Sequence, residues 1–367
     1  MGWWEFKAAP GERNDITVER LPTGQVRFTD LAAPPVGCTP EGPNTVLCSA
    51  ADIGVQIDTG DGDDVVVVRT AFSASVVGGE GNDRLVALAS AYLDGGAGDD
   101  RLEGSPEDDD LDGGPGRDQV LGGAGGDDLT DDDHETDLLD GGDGADDRLR
   151  FGGRRGVRVD LARDVGPDGD RLPGIEHVNG TDGPDVLLGD GAANQLDGGA
   201  GNDRLVGRDG ADLLDGDRGD DTAVGGPGDD ALATTDDDRL DAGPGDDYLQ
   251  LSISGSAYAR CGAGEDKVDV DLERGLPRVR RDCETLVGPG PSLRITPSRL
   301  ILRWRSGEYG RPCRIRATVD RSTTVLRRFT GASLRARGDA SVRLVPTRRC
   351  RGAFGNGYTA TAFRLLP

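Results

Sequence analysis

The sequence predicts an all-β protein: a right-handed parallel β-roll, or β-solenoid, of nonapeptide repeats, followed by a small β-sandwich-like domain. Three observations carry this expectation. Glycine supplies 60 of 367 residues, more than twice its share of roughly 7% in an average chain. Those glycines recur with a nine-residue period, Gly-Gly-x-Gly-x-Asp-x-(apolar)-x. Aromatics make up only 4% and hydrophobics 35% of the chain, so its interior has to be a thin strip. A solvated acidic polymer would share this composition, but it has no reason to keep a period.

Along the chain, residues 1–56 are expected to form an N-terminal β cap. Ile-Thr-Val-Glu-Arg and Gln-Val-Arg-Phe-Thr-Asp flank Leu21-Pro22-Thr23-Gly24, a hairpin signal. Residues 57–149 form the first repeat block. Here GGAGDDRLE (95–103), GSPEDDDLD (104–112), GGPGRDQVL (113–121) and GGAGGDDLT (122–130) abut without a gap. Single copies precede them at 59–67 and 78–86. In GGDGADDRL (141–149) the eighth position is Arg148 rather than an apolar residue, so this unit departs from the pattern. Residues 150–180 read as a connecting strand segment. Residues 181–287 form the second block, gapless over 198–233, with further copies at 242–250 and 261–269.

From Pro289 the pattern changes to alternation, as in Leu300, Leu302 and Trp304 against Ile301, Arg303 and Arg305. Short strands with glycine turns suggest the sandwich-like domain at 288–367.

The nonapeptide has a chemical reason. Glycine adopts positive φ at little steric cost, so a six-residue turn can curl its carbonyl oxygens inward, and the aspartate at position six adds a carboxylate. Ca²⁺ is hard and takes six to eight oxygens from carboxylates and backbone carbonyls alike. The remaining x-apolar-x is a three-residue strand with one side chain inside. Two nonapeptides make a coil, so each unit stacks on the next but one. This places Asp100 over Asp118 and Asp109 over Asp127 in the first block. It places Asp203 over Asp221 and Asp212 over Asp230 in the second. Asp64, Asp83, Asp247 and Asp266 occupy the same position in the isolated copies, where a partner turn is less evident. These twelve aspartates are the expected ligands for several Ca²⁺ ions. One buried apolar residue per nine is a poor return on backbone ordering, so folding is expected to be coupled to the cation.

The repeat resembles the RTX, or haemolysin-type, calcium-binding repeat. The likeness spans roughly residues 57–287, and GVRVDLARDVGPDGDRLPGIEHVNGTDGPDVLLGDGAANQLDGGAGNDRL at 156–205 looks like the run that leads into such arrays. The resemblance implies extracellular calcium-loaded rolls, often attached to toxins, proteases, lipases or surface proteins. Cysteines and a basic tail are unusual beside the one-step exported toxins. In this the layout is similar to cysteine-bearing repeat proteins of high-GC Gram-positive bacteria.

The formal charge of −26 is uneven. From Pro289 onward 17 arginines face three acids, a net of +14, which leaves −40 on the preceding residues. The tail could contact envelope polysaccharide or another anionic polymer; a solvated arginine-rich face is the plainer reading, and nucleic acid is not expected. The six cysteines pair by proximity as Cys38/Cys48, Cys261/Cys283 and Cys313/Cys350, which points to an oxidising compartment. Fifteen connectivities exist, and buried free thiols are the alternative.

No apolar run reaches the 18–20 residues or so of a membrane span. The first residues carry no signal-peptide core, so the start is expected to be mature-like, truncated or mis-assigned.

No enzyme is expected. His134 and His177 are the only histidines and read as loop and strand residues, and neither G-x-S-x-G nor H-E-x-x-H occurs. Two functions fit. One is an exported calcium-binding structural, adhesive or surface module. The other is the accessory part of a secreted hydrolase or toxin whose catalytic portion lies elsewhere.

Overall fold

The computed structural model describes residues 3–29, 38–49, 54–69, 73–235, 237–253, 257–272, 278–280, 283 and 285–287, and beyond residue 291 only strand segments. Among the described residues every regular element is a strand, apart from the short 3-10 turns Leu161–Arg163 and Pro167–Gly169. The chain divides into two compact units, Met1–Gly180 and Thr181–Pro367.

In the first unit the hairpin signal is realised. Strand Asp15–Arg20 pairs antiparallel with Val26–Thr29, placing Val18 opposite Phe28. The Leu21 N–H closes the turn on the Gln25 carbonyl at 2.8 Å. Val26–Thr29 pairs onward with Thr45–Cys48, and Cys48 is disulfide-bonded to Cys38. The same Asp15–Arg20 strand runs parallel to Val65–Arg69 on its other side, which converts a hairpin into the first rung of a parallel sheet.

The roll follows from the eighth position of each repeat. In one sheet Ile57, Val76, Leu93, Leu111, Leu129, Leu149 and Val178 stand in parallel register. In the other, Ile16, Val66, Leu85, Leu102, Val120 and Leu139 do the same. None of these side chains is more than 1% exposed, so the interior is two single-file columns. Short three-residue strands suffice because the flanking turns, rather than strand length, fix the register.

The second unit repeats the plan. Leu187, Leu205, Ala223, Leu240 and Ala259 stack in one ladder, and Leu196, Leu214, Leu232, Leu249 and Val268 in the other. The expected pairs Leu102 on Val120, Leu111 on Leu129, Leu205 on Ala223 and Leu214 on Leu232 are all in register. Cys261 and Cys283 are disulfide-bonded, and both are fully buried.

Strands Ser292–Thr296, Arg299–Arg303 and Ala332–Leu334 form an antiparallel ladder. Ile315–Val319, Ser322–Leu326, Ala340–Pro346 and Thr361–Leu366 form another. The side-chain alternation expected for the tail, and the pairing of Cys313 with Cys350, lie outside the described residues.

Two expectations need correction. In the unit at 141–149 the inward residue is Leu149, in register with Leu129, while Arg148 lies opposite Asp128 on the outer face. The turn carries one extra residue, taken up by Asp146 at φ 77°, so the repeat continues through it. The isolated copies are not isolated either: strand Val65–Arg69 stacks on Arg84–Ala87, and Tyr248–Ile253 on Lys267–Leu272.

The connecting segment is an excursion from a continuing coil. Phe151 leaves the roll, and Arg171 returns to it, bridging to Leu138 and accepting the Leu139 N–H at 2.9 Å.

Candidate metal centre

Each turn is built so that polar backbone converges on its aspartate. In GGAGDD (95–100) the second and fourth residues, Gly96 and Gly98, have φ of 95° and 143°, a region that side chains resist. A Cβ on the first residue, Gly95, would lie 2.5 Å from Asp100 Oδ2 and 2.6 Å from the Gly113 carbonyl oxygen of the next coil. The first glycine thus clears a small space walled by a carboxylate oxygen and a carbonyl oxygen. The same construction recurs at Gly122, facing Asp127 Oδ2 and the Gly141 carbonyl oxygen, and at Gly225, facing Asp230 Oδ2 and the Ala242 carbonyl oxygen.

The sixth-position aspartates form continuous ladders. The backbone N–H of Asp64 donates to Asp83 Oδ1 at 2.7 Å, Asp83 to Asp100 at 2.6 Å, Asp100 to Asp118 at 2.8 Å and Asp118 to Asp137 at 2.8 Å. On the opposite edge Asp109 donates to Asp127 at 2.9 Å, and Asp127 to Asp147 at 2.8 Å. The second unit carries two further ladders. Asp185, Asp203, Asp221 and Asp238 make one. Asn194, Asp212, Asp230, Asp247 and Asp266 make the other. Oδ1 of each aspartate that follows another in its ladder is therefore fixed by the coil before it.

Oδ2 is different. In Asp64, Asp83, Asp100, Asp118, Asp127, Asp147, Asp203, Asp212, Asp221, Asp230 and Asp247 it is buried and accepts no hydrogen bond from the described residues. A buried carboxylate oxygen without a donor is costly, and a row of them calls for positive charge. Burial pushes Asp83, Asp100, Asp127, Asp203 and Asp212 up to about 6, and Asp118, Asp221 and Asp247 up to about 7. The ladder N–H holds each of them down in part, and neighbouring aspartates push them further up.

All twelve aspartates expected from the sequence are buried, with none more than 4% exposed. The four expected stacked pairs are each joined by an N–H to Oδ1 hydrogen bond. Asp109 departs from the rest: its Oδ2 accepts the Ser105 N–H at 2.5 Å. Sequence reasoning missed Asp137, Asp147, Asp170, Asp185 and Asp238, which occupy the same ladders. Where the array is interrupted, carboxylate oxygens of Asp131, Asp133 and Asp137 lie within 4.8 Å of one another. Burial raises Asp131 there to about 8, with Asp170, Asp137 and Asp133 adding to the shift.

The donor set around the bare Oδ2 atoms is carboxylate and carbonyl oxygen, and His134, which lies in the turn ending at Asp137, is exposed and faces Asp168 instead. This donor set suits a hard divalent cation taking many oxygens, and is the wrong set for zinc or copper. The fit is direct, because the bare Oδ2 atoms and the glycine-cleared spaces coincide.

A parallel β-solenoid whose glycine turns carry inward, unpaired carboxylate oxygens is a cation-binding repeat protein. Residues 94–129, 172–205, 197–232 and 231–251 match the RTX calcium-binding nonapeptide repeat in four copies. The chain carries RTX repeats, and they bind Ca²⁺ at several sites. No curated protein matches the chain.

Proposed function

We propose that this chain is an exported structural or adhesive module whose roll assembles when Ca²⁺ enters its turns. The observation that carries this reading is the row of buried Oδ2 atoms without donors. Without a cation those carboxylates oppose burial, and with it they join one coil to the next. The single-file interior adds little that would hold the roll without the ion. The two disulfides, Cys38–Cys48 and Cys261–Cys283, support an oxidising, extracellular setting. Among the described residues no helix is long and apolar enough to cross a membrane.

In this reading the roll is a stiff spacer and the arginine-rich tail contacts an anionic envelope polymer. The chain itself performs no catalysis. Its histidines make ordinary polar contacts, His134 Nδ1 at 3.6 Å from Asp168 and His177 Nε2 at 3.1 Å from Asp146. Circular dichroism in chelator and then in millimolar Ca²⁺ tests the coupling. The expected result is a large gain of β signal on adding Ca²⁺, and an unchanged β-rich spectrum would refute it. Retention of the full chain on peptidoglycan or anionic polysaccharide tests the role of the tail, and retention on neither would defeat it.

A further inference from the structure

The turns fall into two kinds, and the second residue of each separates them. In the open kind this residue has positive φ, as in Gly96 (95°), Gly114 (80°), Arg208 (79°) and Asp217 (54°). Its N–H then turns away from the sixth residue. Gly114 donates back to Asp112 Oδ1 at 3.0 Å, and Asp217 to Asp215 Oδ1 at 3.1 Å. The Oδ2 atoms of the corresponding aspartates, Asp118 and Asp221, stay bare. Glycine is not itself the requirement: Arg208 and Asp217 hold positive φ, and Asp212 and Asp221 are still bare.

In the closed kind the second residue is Ser105, Thr181 or Asp190, none of which has positive φ. Its N–H points into the turn and takes the oxygen that is bare elsewhere. Ser105 donates to Asp109 Oδ2 at 2.5 Å, Thr181 to Asp185 Oδ2 at 2.7 Å, and Asp190 to Asn194 Oδ1 at 2.8 Å. In Asp109 both oxygens are then held by backbone, since Oδ1 accepts the Ala91 N–H at 2.7 Å. The fourth residue differs as well, Glu107, Gly183 and Ala192 lacking the positive φ of Gly98, Gly116 and Gly219, but the N–H that closes the turn is placed by the torsion of the second residue. φ of the second residue sets the peptide plane before it against the rest of the turn, so changing its sign moves that N–H from outside to inside. An inward N–H places partial positive charge beside the oxygen that a cation needs.

We propose that the turns ending at Asp109, Asp185 and Asn194 close on themselves and take no Ca²⁺, and that Ser105, Thr181 and Asp190 are the residues that decide it. This rests on the calcium reading of the open turns. The array then contains built-in metal-independent coils, and Asp109, although it matches the repeat, is a structural acceptor.

The test is the number of Ca²⁺ ions bound by the full chain, counted by native mass spectrometry and calorimetric titration at saturating Ca²⁺. Ser105→Gly restores the second glycine, with Glu107 still at the fourth position, and frees the second residue for positive φ, so it should add one ion, and Thr181→Gly should likewise add one. Gly114→Ser imposes the closed geometry on an open turn and should remove one, with circular dichroism in Ca²⁺ confirming that the roll remains. A wild-type chain that binds Ca²⁺ while both glycine variants bind the same number overturns the closed-turn inference alone. A wild-type chain that binds no Ca²⁺ overturns that inference together with the calcium reading.

Discussion

The backbone N–H of Asp100 donates to Oδ1 of Asp118 at 2.8 Å, while Oδ2 of Asp118, 3% exposed as a residue, has no donor. One carboxylate thus has two assignments: one oxygen fixes the register of the coil before it, and the other is kept for a cation. Replacing Asp118 with Asn separates these. The amide oxygen retains the ladder bond, but the ligand charge is lost. Affinity at that turn should fall on the order of tenfold or more, since charge count tunes such sites. In chelator the same variant should be at least as folded as the wild type, because a buried charge has been removed. Calcium titration and circular dichroism of one preparation read both effects, and a parallel loss in both would contradict the division of roles.

Acid should act in opposite directions on the two forms. Burial raises Asp83 and Asp100 to about 6 and Asp118 and Asp221 to about 7, above the ordinary aspartate value of about 3.9. A carboxyl raised on folding contributes stability that is full below its unfolded pKa and is lost as pH rises through the folded value. The metal-free roll should therefore gain β structure as pH falls from 7.5 to 5. Calcium binding needs the ionised form, so affinity should weaken over the same window and binding near pH 6.5 should release protons. Titrations in buffers of different ionisation enthalpy measure that release, and none at pH 6.5 would contradict the raised values.

The period, the in-register apolar columns and the stacked aspartates were legible in the sequence because all three follow from spacing alone. What escaped it was that the ladders also run through Asp137, Asp147, Asp170, Asp185 and Asp238. Registering the repeat on its glycines loses frame wherever a turn gains a residue or drops a glycine. A marker that survives these slips is an aspartate two residues before the inward apolar residue, as in Asp137 with Leu139, Asp147 with Leu149 and Asp238 with Leu240. Registering on that pair recovers the ladder across the slips. The closure of Asp109 by Ser105 was not legible, because Arg208 and Asp217 hold positive φ at the same repeat position, so the lack of glycine there does not by itself set the sign of the torsion.

Gly95 tests the cleared space without touching a carboxylate. A methyl group there would lie 2.5 Å from Asp100 Oδ2 and 2.6 Å from the Gly113 carbonyl oxygen, inside the volume assigned to the ion. Gly95→Ala should lose one Ca²⁺ and cost about 1–3 kcal/mol of calcium-loaded stability through overpacking. An ion count by native mass spectrometry with thermal melting in Ca²⁺ checks this, and a full complement of ions would place the cation elsewhere in the turn.

The Cys261–Cys283 bridge spans 22 residues and joins the strand Tyr258–Ala263 to the chain beyond Lys267–Leu272. Cys261 stands where the repeat has its first glycine, so this coil carries a covalent tie at a position that other turns leave open. Constraint of the unfolded chain by a loop of this size is worth about 3 kcal/mol, and it acts with or without Ca²⁺. Opening it with a Cys261→Ser, Cys283→Ser pair should therefore leave binding at Asp100 and Asp118 unchanged while loosening the end of the array. Hydrogen exchange in Ca²⁺ should speed up over 258–272 and stay slow over 101–120. Because a ladder transmits order only between neighbouring coils, acceleration should fade toward Thr222–Val224. Uniform acceleration along the chain would show instead that the bridge governs the whole roll.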